Sequence, residues 1–347
     1  MTKPLKSSPH LKSQLTTDQV MRLVIFACIP AALLMYQFFG VGVLINLALA
    51  IISAVTAETA IVALRGRSIL AALRDNSAIL TAVLLGLALP AYCSWWIPVV
   101  GSVIAIVIAK QLFGGLGANP FNPAMVGYVV LLISFPVEMS QWIGAREFTD
   151  GSPGLDAILS NASIDAWTMA TPLDAVRNLQ GITYNELVAS DPQLSAGIIG
   201  SKPFEAINFA FLLGGLYLLK RRIFTWHAPV AMLVSLFVIS LLFWSGSGSD
   251  TNGSPMFHLF SGATMMGAFF IITDPVSGCT SRRGRLIFGA LVGVLVYVIR
   301  AWGNYPDAVA FAVLLANLSA PFIDYYTTPR SYGHTSSKII ISSKEDA

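Results

Sequence analysis

From Gly42 to Ala63 the chain reads GVLINLALAIISAVTAETAIVA, a run carrying one charged residue, Glu58. About 20 apolar residues suffice to cross the hydrocarbon of a bilayer, and only a helix or a closed barrel satisfies its own backbone there. Nine more apolar windows are separated by charged or Gly/Pro-rich punctuation: 21–39, 77–90, 96–113, 122–136, 205–219, 227–244, 258–273, 286–301 and 306–323. The expected fold class is therefore an all-α polytopic membrane protein with about ten transmembrane helices. Composition excludes the soluble alternative: 11% of residues are charged, against about 25% in a soluble domain, and mean hydropathy is +0.70. The windows at 77–90 and 122–136 are short, which predicts tilt, extension by loops or partial re-entry.

Basic residues fix the expected sidedness. With ten spans and a cytoplasmic start, 17 of the 21 Lys and Arg residues fall on one side, in the tails and at 65–74, 110, 220–222 and 282–285. Arg146, Arg177, Lys202 and Arg300 fall on the other, the bias that holds positive loops inside. Both termini are then expected to be cytoplasmic. No cleavable leader is expected, since the polar start runs into an apolar window long enough to stay in the membrane. The expected division is a cytoplasmic tail (1–20), a five-helix half (21–136), an extracytoplasmic segment (137–204), a second five-helix half (205–323) and a second cytoplasmic tail (324–347).

Two stretches echo each other, NPFNPAMVGYVVLL (119–132) and WGNYPDAVAFAVLL (302–315), with Pro123 against Pro306 and Gly127 against Ala310. TAVLLG (81–86) pairs in the same order with ATMMG (263–267). A unit of five helices repeated in one chain has to be inverted the second time, an architecture that puts sites near the midplane on interrupted helices. The Gly/Pro-rich breaks at 114–123 and 273–278 are where interruption is expected; ordinary helix ends account for each of them equally well.

Chemistry is sparse. Cys28, Cys93 and Cys279 have no metal or disulfide spacing, and His10, His227, His258 and His334 are isolated, so neither a metal centre nor a nucleophile–base set is expected. Acids in hydrocarbon are costly, which makes Glu58 and Asp274 candidates for an ion or proton route, with Lys110 as a partner for either. The basic inner loops suit anionic membrane lipid and need no nucleic acid. Thr171-Pro172-Leu173-Asp174 has the form of a helix start, with Thr171 as N-cap, Pro172 at the first position and Asp174 at the third.

The residues before it add a second reading. Asp165-Ala166-Trp167-Thr168-Met169-Ala170-Thr171 resembles the flavinylation signal Asp-x-x-Ser/Thr-Gly-Ala-Thr, with Met169 in place of Gly. Together with SSPHLKSQLTT (7–17), GGLGANPFNPAMVGY (114–128) and SGATMMGAFFIITDPVSG (261–278), it makes nearly the whole chain resemble the NqrB/RnfD family. These are membrane subunits of the Rnf (Rsx) electron-transport complex and of the sodium-pumping NADH:quinone reductase. The resemblance implies covalent FMN on Thr171, attached by a flavin transferase that reads Asp165, Thr168 and Ala170. It also implies a complex with subunits A, B, C, E and G in the bacterial inner membrane, coupling ferredoxin/NAD electron transfer to Na⁺ or H⁺ translocation. A noncovalent second flavin such as riboflavin stays open. A phosphodiester on Thr171 would lie at the start of the helix begun by Pro172, where helix N–H groups favour an anion. The competing readings are a stand-alone inverted-repeat transporter or channel without flavin, and an assembly subunit that only scaffolds its neighbours.

Overall fold

A computed structural model describes residues 15–149, 153–154, 156–159, 164–179, 182–246, 253–303, 305 and 307–328. Both expected tails lie almost wholly outside these residues, as does Pro306 of the repeat comparison. Among the described residues there are helices and no strands, only one isolated antiparallel bridge between Ile143 and Thr168. Each of the ten apolar windows coincides with helix.

Among the described residues four helices are long and apolar enough to cross a membrane: Thr17–Phe39, Val41–Leu64, Arg282–Trp302 and Val309–Thr327. Shorter apolar helices lie at Ser77–Ala88, Trp96–Gln111, Pro123–Ser134 and His227–Leu242, and Lys202–Lys220 completes the long elements. At 1.5 Å per residue, the 12 residues of Ser77–Ala88 cover roughly 18 Å, well under the hydrocarbon thickness of about 30 Å. The expected shortness of that window is therefore real.

Local chemistry sets the boundaries. Thr16 opens the first helix with a capping box, its amide donating to the Gln19 side chain at 3.1 Å. Gly40 closes that helix and starts the next with φ +90°, and a Cβ there would run into the Arg146 guanidinium. Asn122 caps Pro123–Ser134, accepting from the amides of Ala124 and Met125 at 3.1 and 3.3 Å, with Pro123 in the first turn.

Packing follows the small residues. His227–Leu242 lies closely along Arg282–Trp302, because a Cβ on Gly289 would overlap the Ala228 carbonyl and one on Gly293 would overlap Ser235 and Met232. Gly289 and Gly293 form the small-xxx-small spacing by which helix backbones approach in membranes. Thr17–Phe39 packs on Lys202–Lys220, where Gly214 faces the Ala27 carbonyl. One large apolar core joins all the long helices, and a small one, Leu173, Val176, Leu194 and Phe257, sits under the 137–204 segment.

Interruption falls elsewhere than expected. The stretches at 114–123 and 273–278 are ordinary helix ends, with Gly114, Gly115 and Gly117 all at positive φ. The break lies inside the 258–273 window instead. Pro255–Phe260 stops, Ser261–Ala263 turns with Gly262 at φ +59°, and Thr264–Met266 continues into a π-helical turn, Gly267–Ile271. A second π-helical turn, Ala105–Gln111, ends the Trp96 helix and carries Lys110. Such turns gather at functional positions because they redirect side chains without ending a helix.

Candidate functional site

The segment holding Thr171 is tied to the chain in front of it. Gly144 donates to the Trp167 carbonyl and Met169 to the Trp142 carbonyl, both at 2.9 Å, so 142–144 and 167–169 run as a short extended pair. Met169, which departs from the signal pattern, rests its thioether against Gly144, where any Cβ would collide with it. Gln193 Nε2 donates to the same sulfur at 3.2 Å. Gly144 thus leaves the room that the Met169 side chain occupies. Asp165 and Ala170 are exposed, while Thr168 is half-buried with its hydroxyl donating to the Asp165 carbonyl at 3.1 Å.

Thr171 is the N-cap that its neighbours predicted. Its backbone is extended, Pro172 follows in the first turn, and its Oγ1 accepts from the Asp174 amide at 3.2 Å. The hydroxyl hydrogen goes to Asp174 Oδ2, 2.5 Å away. The helix itself, Pro172–Arg177, has only six residues. Its dipole is correspondingly small, and the expected support for an anion from helix N–H groups shrinks to the first turn.

Thr171, Pro172, Leu173 and Asp174 form part of the wall of a cavity of about 410 Å³. Phe39, Trp142, Phe204 and Tyr305 supply aromatic faces, and Met35, Met125 and Met266 add adaptable apolar lining. Phe39 meets Trp142 and Phe204 edge-on, with centroids 6.3 and 5.8 Å apart. Helices from before and after the 137–204 segment both contribute. The volume lies within the roughly 300–1,000 Å³ usual for cofactor sites, and its apolar body with a few polar groups is their usual character.

The helix break that contributes Gly262 to the cavity wall is held by residues that no sequence pattern singled out. Arg300, 4% exposed, donates to the carbonyls of His258 at 2.8 Å and Ser261 at 3.2 Å, and to Thr264 Oγ1 at 2.9 Å. Asn208 donates to the carbonyls of Phe260 and Gly262 at 3.1 and 2.8 Å and accepts from the Met265 amide at 3.0 Å. Asp307 accepts from the Ala263 amide at 3.0 Å and lies 3.6 Å from Arg300. These three side chains satisfy the backbone groups that the helix break releases. Gly262 and Asp307 line the cavity, and a Cβ on Gly262 would approach Leu173, the residue two after Thr171, at 2.8 Å. The available signal was an arginine inside an otherwise apolar window, which by cost alone asks for a buried partner.

At the other end of the Val41–Leu64 helix, Glu58 and Lys110 meet. Lys110 Nζ lies 2.5 Å from Glu58 Oε1 and 2.6 Å from Ser77 Oγ, and Gln111 Nε2 donates to the same Glu58 oxygen at 2.8 Å. Both charged side chains are 2% exposed, and Glu58 Oε2 accepts no hydrogen bond among the described residues. Of the two partners open to Lys110, the structure pairs it with Glu58. Asp274 instead accepts from Ser277 Oγ at 2.7 Å and the Val276 amide at 3.4 Å. Lys110 and Asp274 do share a second cavity, about 120 Å³, with Ser77, Asn119, Asn122 and Thr273. Among the described residues no group of three or more His, Cys, Asp or Glu side chains could hold a metal ion.

Comparison with known proteins covers almost the full chain. The chain is 59% identical over 335 residues to the ion-translocating oxidoreductase complex D subunit of Ectopseudomonas mendocina, covering 96% of this chain and 97% of that one. It is 56% identical over 335 residues to the protein of that name from Pseudomonas aeruginosa strain UCBPP-PA14, with the same coverage. A third relative of that name, from Cellvibrio japonicus, is 52% identical with 94% of each chain covered. Residues 4–333 match the family described as NQR2, RnfD, RnfE, and with relatives this similar end to end the chain belongs to that family.

Proposed function

We propose that the chain is the flavin-bearing membrane subunit of an ion-translocating oxidoreductase complex, with FMN held through a phosphodiester on Thr171. The observation that carries this is the coincidence of a signal-like threonine with the wall of the large aromatic cavity. FMN, when bound, supplies one- and two-electron transfer. The chain supplies the anchor, Thr171, and aromatic faces from Phe39, Trp142, Phe204 and Tyr305. Asp165, Thr168 and Ala170 present the recognition stretch to a flavin transferase on an exposed or half-exposed edge. In this reading the partners are subunits A, B, C, E and G of an Rnf-type complex, electrons pass between ferredoxin and NAD, and the coupled ion is Na⁺ or H⁺.

The reading includes ten crossings in the bacterial inner membrane, with 137–204 outside and two inverted halves. Pairing of helices supports the repeat. Val41–Leu64 packs on Trp96–Ile104 as His227–Leu242 packs on Arg282–Trp302, and the first and fifth helices of one half meet the first and fifth of the other. Glu58, Lys110 and Asp274 are proposed as the ion or proton route, supported by a buried pair with one carboxylate oxygen left over. For riboflavin the second cavity is small, about 120 Å³, yet its buried Asn119 Oδ1 has no partner among the described residues.

Denaturing electrophoresis under ultraviolet light tests the anchor. The band from cells containing a flavin transferase is expected to fluoresce and the Thr171→Ala band to be dark. A dark wild-type band would remove the covalent flavin from this reading and leave the family membership untouched.

A further inference from the structure

We infer that Asp174 is the base that takes the proton from Thr171 when the flavin is attached, so that this chain brings part of the chemistry of its own modification. The inference rests on the proposal that Thr171 is the attachment point. A threonine hydroxyl is a weak nucleophile unless a neighbouring group removes its proton. Asp174 Oδ2 lies 2.5 Å from Thr171 Oγ1, within the range of a charge-assisted O–H···O⁻ bond, so the proton already points at its acceptor. From the same residue, the backbone N–H donates to Oγ1 at 3.2 Å and stabilises the negative charge that grows on that oxygen as the proton leaves. A hydroxyl oxygen has two lone pairs, and the amide uses one. The second remains for attack.

The geometry is held from below. Pro172, Leu173 and Val176 are buried, and Leu173 and Val176 pack in the small core with Leu194 and Phe257, which holds the backbone that carries Thr171 and Asp174. Thr171 itself is half-buried at the cavity wall.

In the transfer step a flavin dinucleotide is the donor. The Thr171 Oγ1–phosphorus bond forms at the phosphate bearing the flavin, and the phosphoanhydride P–O bond breaks. The nucleoside monophosphate leaves with that electron pair, and the hydroxyl proton passes to Asp174 Oδ2 and then to water. No oxidant or reductant is required. In an ordinary capping box the third-position carboxylate turns back to the backbone amide of the cap residue. Here the contact is to the cap hydroxyl, the atom that reacts.

The test uses the full chain in detergent, a purified flavin transferase and flavin adenine dinucleotide, with labelling followed by in-gel fluorescence and intact mass. Asp174→Asn keeps the size of the side chain and the backbone amide. It is expected to label on the order of 10²-fold more slowly in kcat, with KM for the chain little changed and an unchanged melting curve. In Asp174→Ala, added formate is expected to restore labelling, a rescue that a purely structural carboxylate would not show. Labelling of the Asn variant at the wild-type rate overturns the inference while leaving Thr171 as the anchor. So does slow labelling of both variants without rescue by formate. A wild-type chain that stays dark, or a Thr171→Ala chain that labels equally well, instead overturns the reading on which the inference rests.

Discussion

Glu58 shows what burial does to a single side chain. Its attraction to Lys110 offsets a desolvation cost of several kcal/mol per ion, so the pair contributes little net stability while either partner alone is strongly unfavourable. Lys110→Met is therefore expected to destabilise the chain by about 3–5 kcal/mol in thermal or denaturant unfolding in detergent. The double variant with Glu58→Gln should recover most of that loss. If Lys110 also serves transport, complexes with Glu58→Gln or Asp274→Asn take up ions more slowly at equal electron flux, and unchanged uptake removes both residues from the route. Thr171 and Glu58 were legible as residues of interest because an isolated acid in an apolar run and a signal-like threonine are both local patterns. Arg300 was counted only toward sidedness, since no local pattern says that its guanidinium turns inward to three acceptors on another helix.

Elements repeat the lesson with backbones. The contact between His227–Leu242 and Arg282–Trp302 depends on Gly289 and Gly293, whose hydrogens are all that the neighbouring backbone leaves room for. Gly293→Leu should force the helices apart and cost at least the roughly 1–3 kcal/mol typical of overpacking, read as a lower melting midpoint. An equal substitution at Gly154, whose φ is not positive and whose nearest neighbour atom lies 3.9 Å from an added Cβ, should carry no such cost. Helix existence was readable from hydropathy because a membrane solvent penalises unpaired backbone everywhere along a run. The break at Ser261–Ala263 was not readable, because it is stable only with Asn208, Arg300 and Asp307 supplying what the missing helical bonds would have supplied. Gly/Pro richness pointed instead to 114–123 and 273–278, where it marks helix ends.

For the whole molecule, the two polar regions sit at opposite ends of the Val41–Leu64 helix. Its start lies by Arg146, and its end lies where Arg65 reaches Gln111 at 3.5 Å and Arg67 reaches the Gly114 carbonyl at 3.3 Å. Those 24 residues span about 36 Å, enough to separate the Thr171 cavity from the Glu58–Lys110 pair. A cysteine placed at exposed Asp165 in an Asp165→Cys variant should accordingly react with a membrane-impermeant maleimide from outside intact cells or spheroplasts, while one placed at Lys3 should not. The native cysteines are buried and give little background. Labelling at 165 only after permeabilisation would reverse the assigned sidedness.

The amino-acid order by itself determined the membrane class, where helices begin and end to within a few residues, the expected sidedness and the threonine singled out for modification. The first three follow from quantities summed along the chain, hydropathy, charge and cap chemistry, and the threonine from its resemblance to a flavinylation signal. Only the tertiary structure decided which partner Lys110 takes, where a helix is interrupted, and that Thr171 borders a cavity walled by both halves. Those outcomes depend on which helix faces meet and how closely glycines let them approach, and residues 149 positions apart then share one hydrogen bond, as Asn122 and Ile271 do.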